Sequence, residues 1–93
     1  MLFRSGLSKN IAFTYAKNGI RCNLIAPGAV NTSIGTNMHP DAFGFQRSSE
    51  GFSLIPRNGE PSEIASIALF LAKRDSSFIN GSVIVADAGW TAY

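Results

Sequence analysis

The apolar run SVIVA, from Ser82 to Ala86, constrains the fold more than any other stretch of the chain. It is a series of β-branched residues bounded by turn-forming residues, which is typical of a strand in a parallel sheet that is covered on both faces. Upstream, Ile64 to Ala72 is apolar almost all the way round, and a helix of that composition is expected to be buried on more than one side. A buried helix leading into a buried strand indicates an α/β fold.

The limits of this helix can also be predicted. Glu60-Pro61-Ser62-Glu63 is a start signal, because Pro tolerates the first helical position and acidic side chains favour the positive end of the helix dipole. The charged residues Lys73, Arg74 and Asp75 are expected to end it.

Apolar residues recur at four-residue steps between residues 2 and 18, which predicts an amphipathic helix. Its apolar side is formed by Phe3, Leu7, Ile11, Ala12 and Tyr15, and its polar side includes Ser8, Lys9, Lys17 and Asn18. Asn18-Gly19 is expected to end it, because glycine adopts the left-handed conformation that often follows a helix.

The next stretch, IRCNLIA at residues 20 to 26, is predicted to be a strand that stops at Pro27-Gly28. The order is helix, strand, long loop, helix, strand, which predicts a right-handed parallel unit of a doubly wound sheet. Polar Arg21 and Asn23 leave open a simpler interpretation, a half-exposed strand. Two strands leave exposed edges, so we expect a piece of a larger domain or a chain completed by association.

The long segment from Asn31 to Asn58 has no sustained period, which favours a lid or binding loop. Its aromatic residues Phe43, Phe45 and Phe52 could line a pocket or anchor the loop on the core. His39 and Asp41 invite an interpretation as a general acid or base, because imidazole titrates near neutral pH, but for a lone histidine beside a proline in a loop we expect a solvated surface role.

Composition excludes several functions. The 93 residues are 45% hydrophobic with a net charge of +2, and basic residues are scattered, so a nucleic-acid partner is not expected. With no apolar run of membrane-spanning length and no leader pattern, we expect a cytoplasmic protein that does not bind membranes. A single cysteine, Cys22, and a single histidine make a metal site unexpected, and Cys22 is predicted to be a small buried residue of the first strand.

Three segments in order resemble one family: GLSKNIAFTYAKNGIRCNLIAPGAVNT, PRNGEPSEIASIALFLA and SSFINGSVIVADAGW. They are similar to the C-terminal third of a short-chain dehydrogenase/reductase, a single-domain Rossmann enzyme that uses NAD or NADP. The resemblance covers nearly the whole chain, so residues 1–93 are interpreted as one partial NAD(P)-binding domain. It implies reversible oxidation of an alcohol to a ketone or aldehyde.

The resemblance also implies a cofactor site at Pro27, Gly28, Val30 and Thr32. Pro27 and Gly28 would turn the chain close to the nicotinamide, and backbone groups near Val30 would pair with its carboxamide. The Thr32 hydroxyl would bond the carboxamide or the pyrophosphate. A strand end with a tight turn and a local threonine hydrogen bond remains the structural alternative, and Arg57 is expected to form structural hydrogen bonds.

Other family motifs are missing from these residues. No glycine-rich turn opens a helix, and there is no Tyr-x-x-x-Lys pair, since Gly19 stands four residues after Tyr15. We therefore assign no catalytic residue, and expect no turnover and weak or absent cofactor binding by these residues alone. The alternatives are a homo-oligomer or a module that docks on a complete subunit, through the helix of Ile64 to Ala72 and Trp90, or a gene remnant without activity.

Overall fold

The computed structural model describes residues 2–32 and 55–92. Its regular elements are α1 (Leu2–Thr14), a 3-10 turn (Ala16–Asn18), β1 (Leu24–Pro27), α2 (Pro61–Ala72), a second 3-10 turn (Arg74–Ser76) and β2 (Val83–Ala86). The two strands pair in parallel, with Leu24 opposite Val83 and Pro27 opposite Ala86. The order of helix, strand, helix and strand confirms the predicted partial doubly wound α/β fold.

The first helix is shorter than predicted. The α-helix stops at Thr14, and the 3-10 turn carries the chain to Gly19. Gly19 adopts φ 77°, the left-handed conformation expected of the residue that ends this segment.

The buried face of α1 differs from the predicted one. Ala12 is 4% exposed and Ser8 is 9% exposed, whereas Phe3 and Leu7 of the predicted apolar side are largely exposed. Ser8 Oγ lies 3.4 Å from Cys22 Sγ, and the Asn80 side chain donates to the Ala12 carbonyl. The assignment of Ser8 to the solvent side was therefore wrong, because the helix packs through small residues on the segments that enter the two strands.

The first strand begins at Leu24, four residues later than predicted. Residues 20–23 are joined to the rest of the chain mainly through side chains, besides the backbone bond from the Gly81 N–H to the Cys22 carbonyl at 2.9 Å. Arg21 donates to four carbonyls, those of Leu71 at 2.7 Å, Ser76 at 2.9 Å, Ile79 at 3.1 Å and Lys73 at 3.4 Å. Asn23 accepts a hydrogen bond from the Ser82 N–H at 3.0 Å. Polar side chains thus connect this segment to the end of α2.

Cys22 lies in that segment and not in β1, so its predicted place in a buried strand was wrong. It is half-buried, and its backbone N–H donates to Asn80 Oδ1 at 2.9 Å.

The predicted limits of the second helix are confirmed. Glu60 is its N-cap, Pro61 is its first residue, and it ends at Ala72 before the charged residues. Within the described ranges, no helix is both long and apolar enough to cross a lipid bilayer.

The burial predicted for α2 and β2 is not reached within the described residues of this chain. No residue of α2 is buried, and Leu69 and Phe70 are 58% and 45% exposed. On β2, Val85 is 55% exposed, so this strand is not covered on both faces. Both elements have the apolar composition of buried ones, but the two-stranded sheet and the two helices described here cannot cover every apolar face.

Candidate functional site

The candidate site lies where the two strands end. Because β1 and β2 are parallel, their carboxyl ends meet at one edge, and Pro27 faces Ala86 across it. The Gly28 N–H donates to the Ala86 carbonyl at 3.0 Å, which extends the pairing one residue beyond the strand. In doubly wound sheets ligands bind at the carboxyl ends of the strands.

Gly28 is required at this edge for a structural reason. A Cβ built on Gly28 would lie 2.7 Å from Asp87 Cβ and 2.9 Å from Asp87 Cα. Both distances are far below ordinary van der Waals contact, so no side chain fits between the two strand ends without a shift of the backbone. The absence of a side chain at Gly28 therefore leaves space for the backbone and Cβ of Asp87. The sequence analysis did not predict this contact.

The backbone around Val30 is hydrogen-bonded to Gly59 on one side, and the N–H and C=O of Val30 lie on the other side. It forms an isolated parallel bridge with Gly59, made by the Asn31 N–H to the Gly59 carbonyl at 2.9 Å and by the Gly59 N–H to the Ala29 carbonyl at 2.8 Å. In this pattern the N–H and C=O of Val30 itself point away from Gly59. Neither group has a hydrogen-bond partner among the described residues.

Thr32 is exposed and ends the first described range. The structure therefore brings Pro27, Gly28 and Val30 together at the strand edge, and Thr32 follows two residues after Val30. Phe43, Phe45, Phe52, His39 and Asp41 lie outside the described residues, so the predictions for them stay predictions.

A polar network holds the Val30 segment against the start of α2. The Asn31 side chain donates to Glu60 Oε1 at 2.8 Å and accepts from the Asn58 side chain at 3.0 Å. Sequence reasoning identified Glu60 only as part of the helix start and did not single out Asn31 or Asn58. The Asn31-Thr32-Ser33 and Asn58-Gly59-Glu60 sequences signal local turns, but nothing in the sequence indicates that they contact each other.

Arg57 has the structural hydrogen-bonding role that was predicted. Its guanidinium donates to both carboxylate oxygens of Glu63 at 2.7 and 2.8 Å. Glu63 also accepts from the Glu60 N–H at 3.1 Å, which helps to cap α2. The hydrogen bonds from Arg57 and from the Glu60 N–H lower the pKa of Glu63 from 4.5 to about 2.

Asp87 organises the turn after β2. Its carboxylate accepts from the Gly89 N–H at 3.0 Å, the Thr91 N–H at 3.0 Å and the Thr91 hydroxyl at 2.6 Å, and the hydroxyl bond in particular lowers its pKa. Ala88, between Asp87 and Gly89, has a φ of 57°, a backbone conformation that a non-glycine residue rarely adopts. The Asp-x-Gly sequence is a detectable turn signal that the prediction did not use.

Two open grooves flank this edge. One, of about 430 Å³, lies on the α2 side and is lined by residues including Ala29, Gly59 and Ala86. The other, of about 340 Å³, is lined by residues including Pro27, Val85 and Trp90. Side chains alternate between the faces of a strand, so Ala86 and Val85 place the two grooves on opposite faces of the sheet. Within residues 2–32 and 55–92, no cluster of acidic, His and Cys side chains could hold a metal ion.

The chain matches a family model described as enoyl-(acyl carrier protein) reductase over residues 4–91. It is 46% identical over 89 residues to 3beta-hydroxysteroid dehydrogenase 2 of Eggerthella lenta, covering 95% of this chain and 34% of that protein. It is 38% identical over 87 residues to a 7alpha-hydroxysteroid dehydrogenase of Paraclostridium sordellii, covering 92% of this chain and 32% of that protein. The chain thus spans about a third of the length of the curated relatives it matches.

The solved structures that the chain resembles are also dehydrogenases and reductases. The chain is similar to a 4-hydroxyisoleucine dehydrogenase complexed with NADH, with a TM-score of 0.75 and 30% identity, covering 96% of this chain and 36% of that one. It is also similar to a 3-oxoacyl-[acyl-carrier protein] reductase from Brucella melitensis, with a TM-score of 0.74 and 31% identity, covering 91% of this chain and 31% of that one. By its matched family model, its relatives and its parallel strand edge, the chain belongs to the short-chain dehydrogenase/reductase family of oxidoreductases.

Proposed function

We propose that the chain forms the nicotinamide side of an NAD(P)-dependent oxidoreductase that interconverts an alcohol and a ketone or aldehyde. The observation that carries this proposal is the backbone edge of Val30, whose N–H donor and C=O acceptor lie beside the strand ends and have no hydrogen-bond partner among residues 2–32 and 55–92. A carboxamide offers the matching acceptor and donor, so it can pair with both groups at once. The solved relative that is complexed with NADH supports the choice of cofactor.

The residues before and after Val30 have distinct roles in this proposal. Pro27 and Gly28 bring the main chain to the edge without bulk, and the 340 Å³ groove beside them is of a size that can accept part of a ligand. The Thr32 hydroxyl would bond the carboxamide or the pyrophosphate. When bound, NAD or NADP supplies the hydride acceptor or donor.

Proton transfer requires residues that these 93 do not contain. The alcohol must lose a proton as its hydride leaves, and neither a Tyr-x-x-x-Lys pair nor a glycine-rich turn for the pyrophosphate is present in the sequence. Those groups must come from a longer chain or from a subunit on which this chain docks. We therefore expect the 93 residues to bind NAD(P)H weakly and to show no turnover.

The test is a titration of the ¹⁵N-labelled chain with NADH, followed by NMR, with ADP-ribose as a control that lacks nicotinamide. We expect the amide signals of Val30 and Thr32 to shift with NADH and not with ADP-ribose, with a dissociation constant of about 1 mM. Replacing the Thr32 hydroxyl by a methyl group (Thr32→Val) should reduce these shifts, whereas Thr14→Val on α1 should leave them unchanged. Equal shifts with ADP-ribose, or none with NADH, would refute the nicotinamide site.

Trp90 fluorescence provides a second measurement, because Trp90 lines the groove beside Pro27. Saturation by NADH or NADPH at micromolar concentration would contradict the proposed weak binding and would mean that these residues form a complete cofactor site.

A second candidate function is that of a docking or oligomerisation module. The observation that favours it is the exposed apolar surface of α2 and β2, represented by Leu69, Phe70 and Val85. Native mass spectrometry should then show a homo-oligomer, or a complex with a complete subunit. A chain that stays monomeric and is unfolded by circular dichroism would eliminate this candidate.

A further inference from the structure

The Asn31 clamp, defined as the side chains of Asn31, Asn58 and Glu60, is the strongest unexplained feature beside the candidate site. Both ends of the Asn31 amide are used: its Nδ2 donates to Glu60 Oε1 at 2.8 Å, and its Oδ1 accepts from Asn58 Nδ2 at 3.0 Å. Reversing the amide would place its oxygen against a carboxylate and its NH₂ against another NH₂ group. The two partners therefore determine the orientation of this side chain.

The clamp is not needed to satisfy the backbone. The backbone bonds of the Val30–Gly59 bridge are complete without it, and all three clamp side chains are exposed, where water could solvate them equally well. What the clamp adds is a fixed relation between the residue after Val30 and the residues on both sides of Gly59. A rotation of the bridge would move Asn31 relative to both partners and so weaken these bonds.

The clamp is also anchored to a rigid element. Glu60 is the N-cap of α2, and its N–H donates to Glu63, which in turn is held by two bonds from Arg57. The orientation of the Val30 edge is thus connected through Asn31 and Glu60 to the first turn of α2.

We propose that Asn31 is a positioning residue, which uses Asn58 and Glu60 to direct the backbone edge of Val30 toward the nicotinamide. This inference rests on the proposed function and adds to it the residues that set the edge. Asn31 itself does not touch the cofactor, because its side chain is turned toward α2.

A charge exchange at the clamp tests the proposal. Asn31→Asp keeps the acceptor for Asn58 but puts a second carboxylate against Glu60. Combining it with Glu60→Gln restores a donor and acceptor pair, because the amide introduced at position 60 can donate to the new carboxylate. Glu60→Gln alone is the reference for the double variant, and Asn10→Asp, an exposed site on α1, is the matched control for the added charge.

The first measurement is amide hydrogen exchange of Asn31 and Gly59, without cofactor. We expect Asn31→Asp to accelerate exchange at both amides roughly tenfold, as for the loss of a charge-assisted bond. The double variant should return to within about twofold of Glu60→Gln, and Asn10→Asp should stay within about twofold of the unsubstituted chain. No acceleration in Asn31→Asp, no recovery in the double variant, or unprotected amides in the unsubstituted chain would each overturn the proposal.

The second measurement is the NADH titration of the same variants. Asn31→Asp should weaken the NADH response of Val30 roughly tenfold and the double variant should restore it. An unchanged response in Asn31→Asp would overturn the positioning role. If the unsubstituted chain shows no response, the nicotinamide proposal fails, and the exchange result still decides whether the clamp orients the segment.

Discussion

Gly28→Ala tests the close approach of the two strand ends. The added Cβ would lie 2.7 Å from Asp87 Cβ and 2.9 Å from Asp87 Cα, so the strand ends must separate. Overpacking of this kind costs about 1–3 kcal/mol, and lengthening the 3.0 Å bond from the Gly28 N–H to the Ala86 carbonyl adds about 1 kcal/mol. Restricting the unfolded chain returns about 0.4–1 kcal/mol. We expect a net loss of about 2 kcal/mol in the free energy of unfolding.

The matched control is Gly6→Ala on α1, where an added Cβ would meet nothing within 4 Å. Because alanine favours the helix, this variant should gain about 0.5–1 kcal/mol. Urea denaturation followed by circular dichroism should therefore separate the two midpoints by about 2–3 M, for a slope near 1 kcal/mol/M. A Gly28→Ala midpoint within about 0.3 M of the unsubstituted chain would refute the argument from close approach.

Three further predictions concern elements that position the site. Arg21→Lys should cost about 2 kcal/mol in urea denaturation, because the guanidinium donates to four carbonyls and an ammonium has only three N–H donors, all on one nitrogen. Arg4→Lys, at an exposed position of α1, should change stability by less than about 0.5 kcal/mol. The pKa of Glu63 is lowered to about 2 in the folded chain, so the stability that its bond to Arg57 contributes is complete above pH 4.5 and is lost as the pH falls toward 2. The midpoint temperature of thermal unfolding should therefore fall between pH 4.5 and pH 2, and it should fall less in Glu63→Gln. The same pH dependence in that variant would contradict the role of the Glu63 carboxylate. Gly19→Ala should lower the free energy of unfolding by about 1–2 kcal/mol, because Gly19 has a left-handed φ of 77° that alanine adopts at a cost. An unchanged stability in this variant would contradict that backbone conformation.

Local sequence signals located both ends of α2 and the end of the helical segment at Gly19, although the α-helix itself stops at Thr14. Pro61 and Glu60 define the start of α2, and Gly19 ends the first helical segment, because these residues act through their own backbone preferences. The start of β1 was misplaced, since the bonds that Arg21 and Asn23 make reach residues far along the chain, from Leu71 to Ser82. Such contacts have no local signature.

The candidate site was only partly accessible to sequence reasoning. Pro27, Gly28 and Val30 could be selected because they follow an apolar strand at the carboxyl edge of a parallel sheet. Asn31 and Asn58 could not, because each acts through a partner that the fold brings to it. The turn signal at Asp87 is local, but it does not indicate that Asp87 meets Gly28.

By itself, the sequence determined the α/β class, the order of the elements and the family, because apolar period, helix signals and motif spacing are properties of neighbouring residues. Tertiary structure alone decided which face of α1 is buried and which atoms occupy the space beside Gly28. It also decided the direction in which the N–H and C=O of Val30 point. Those outcomes depend on segments far apart in the chain meeting at one sheet edge, and no local pattern encodes that meeting.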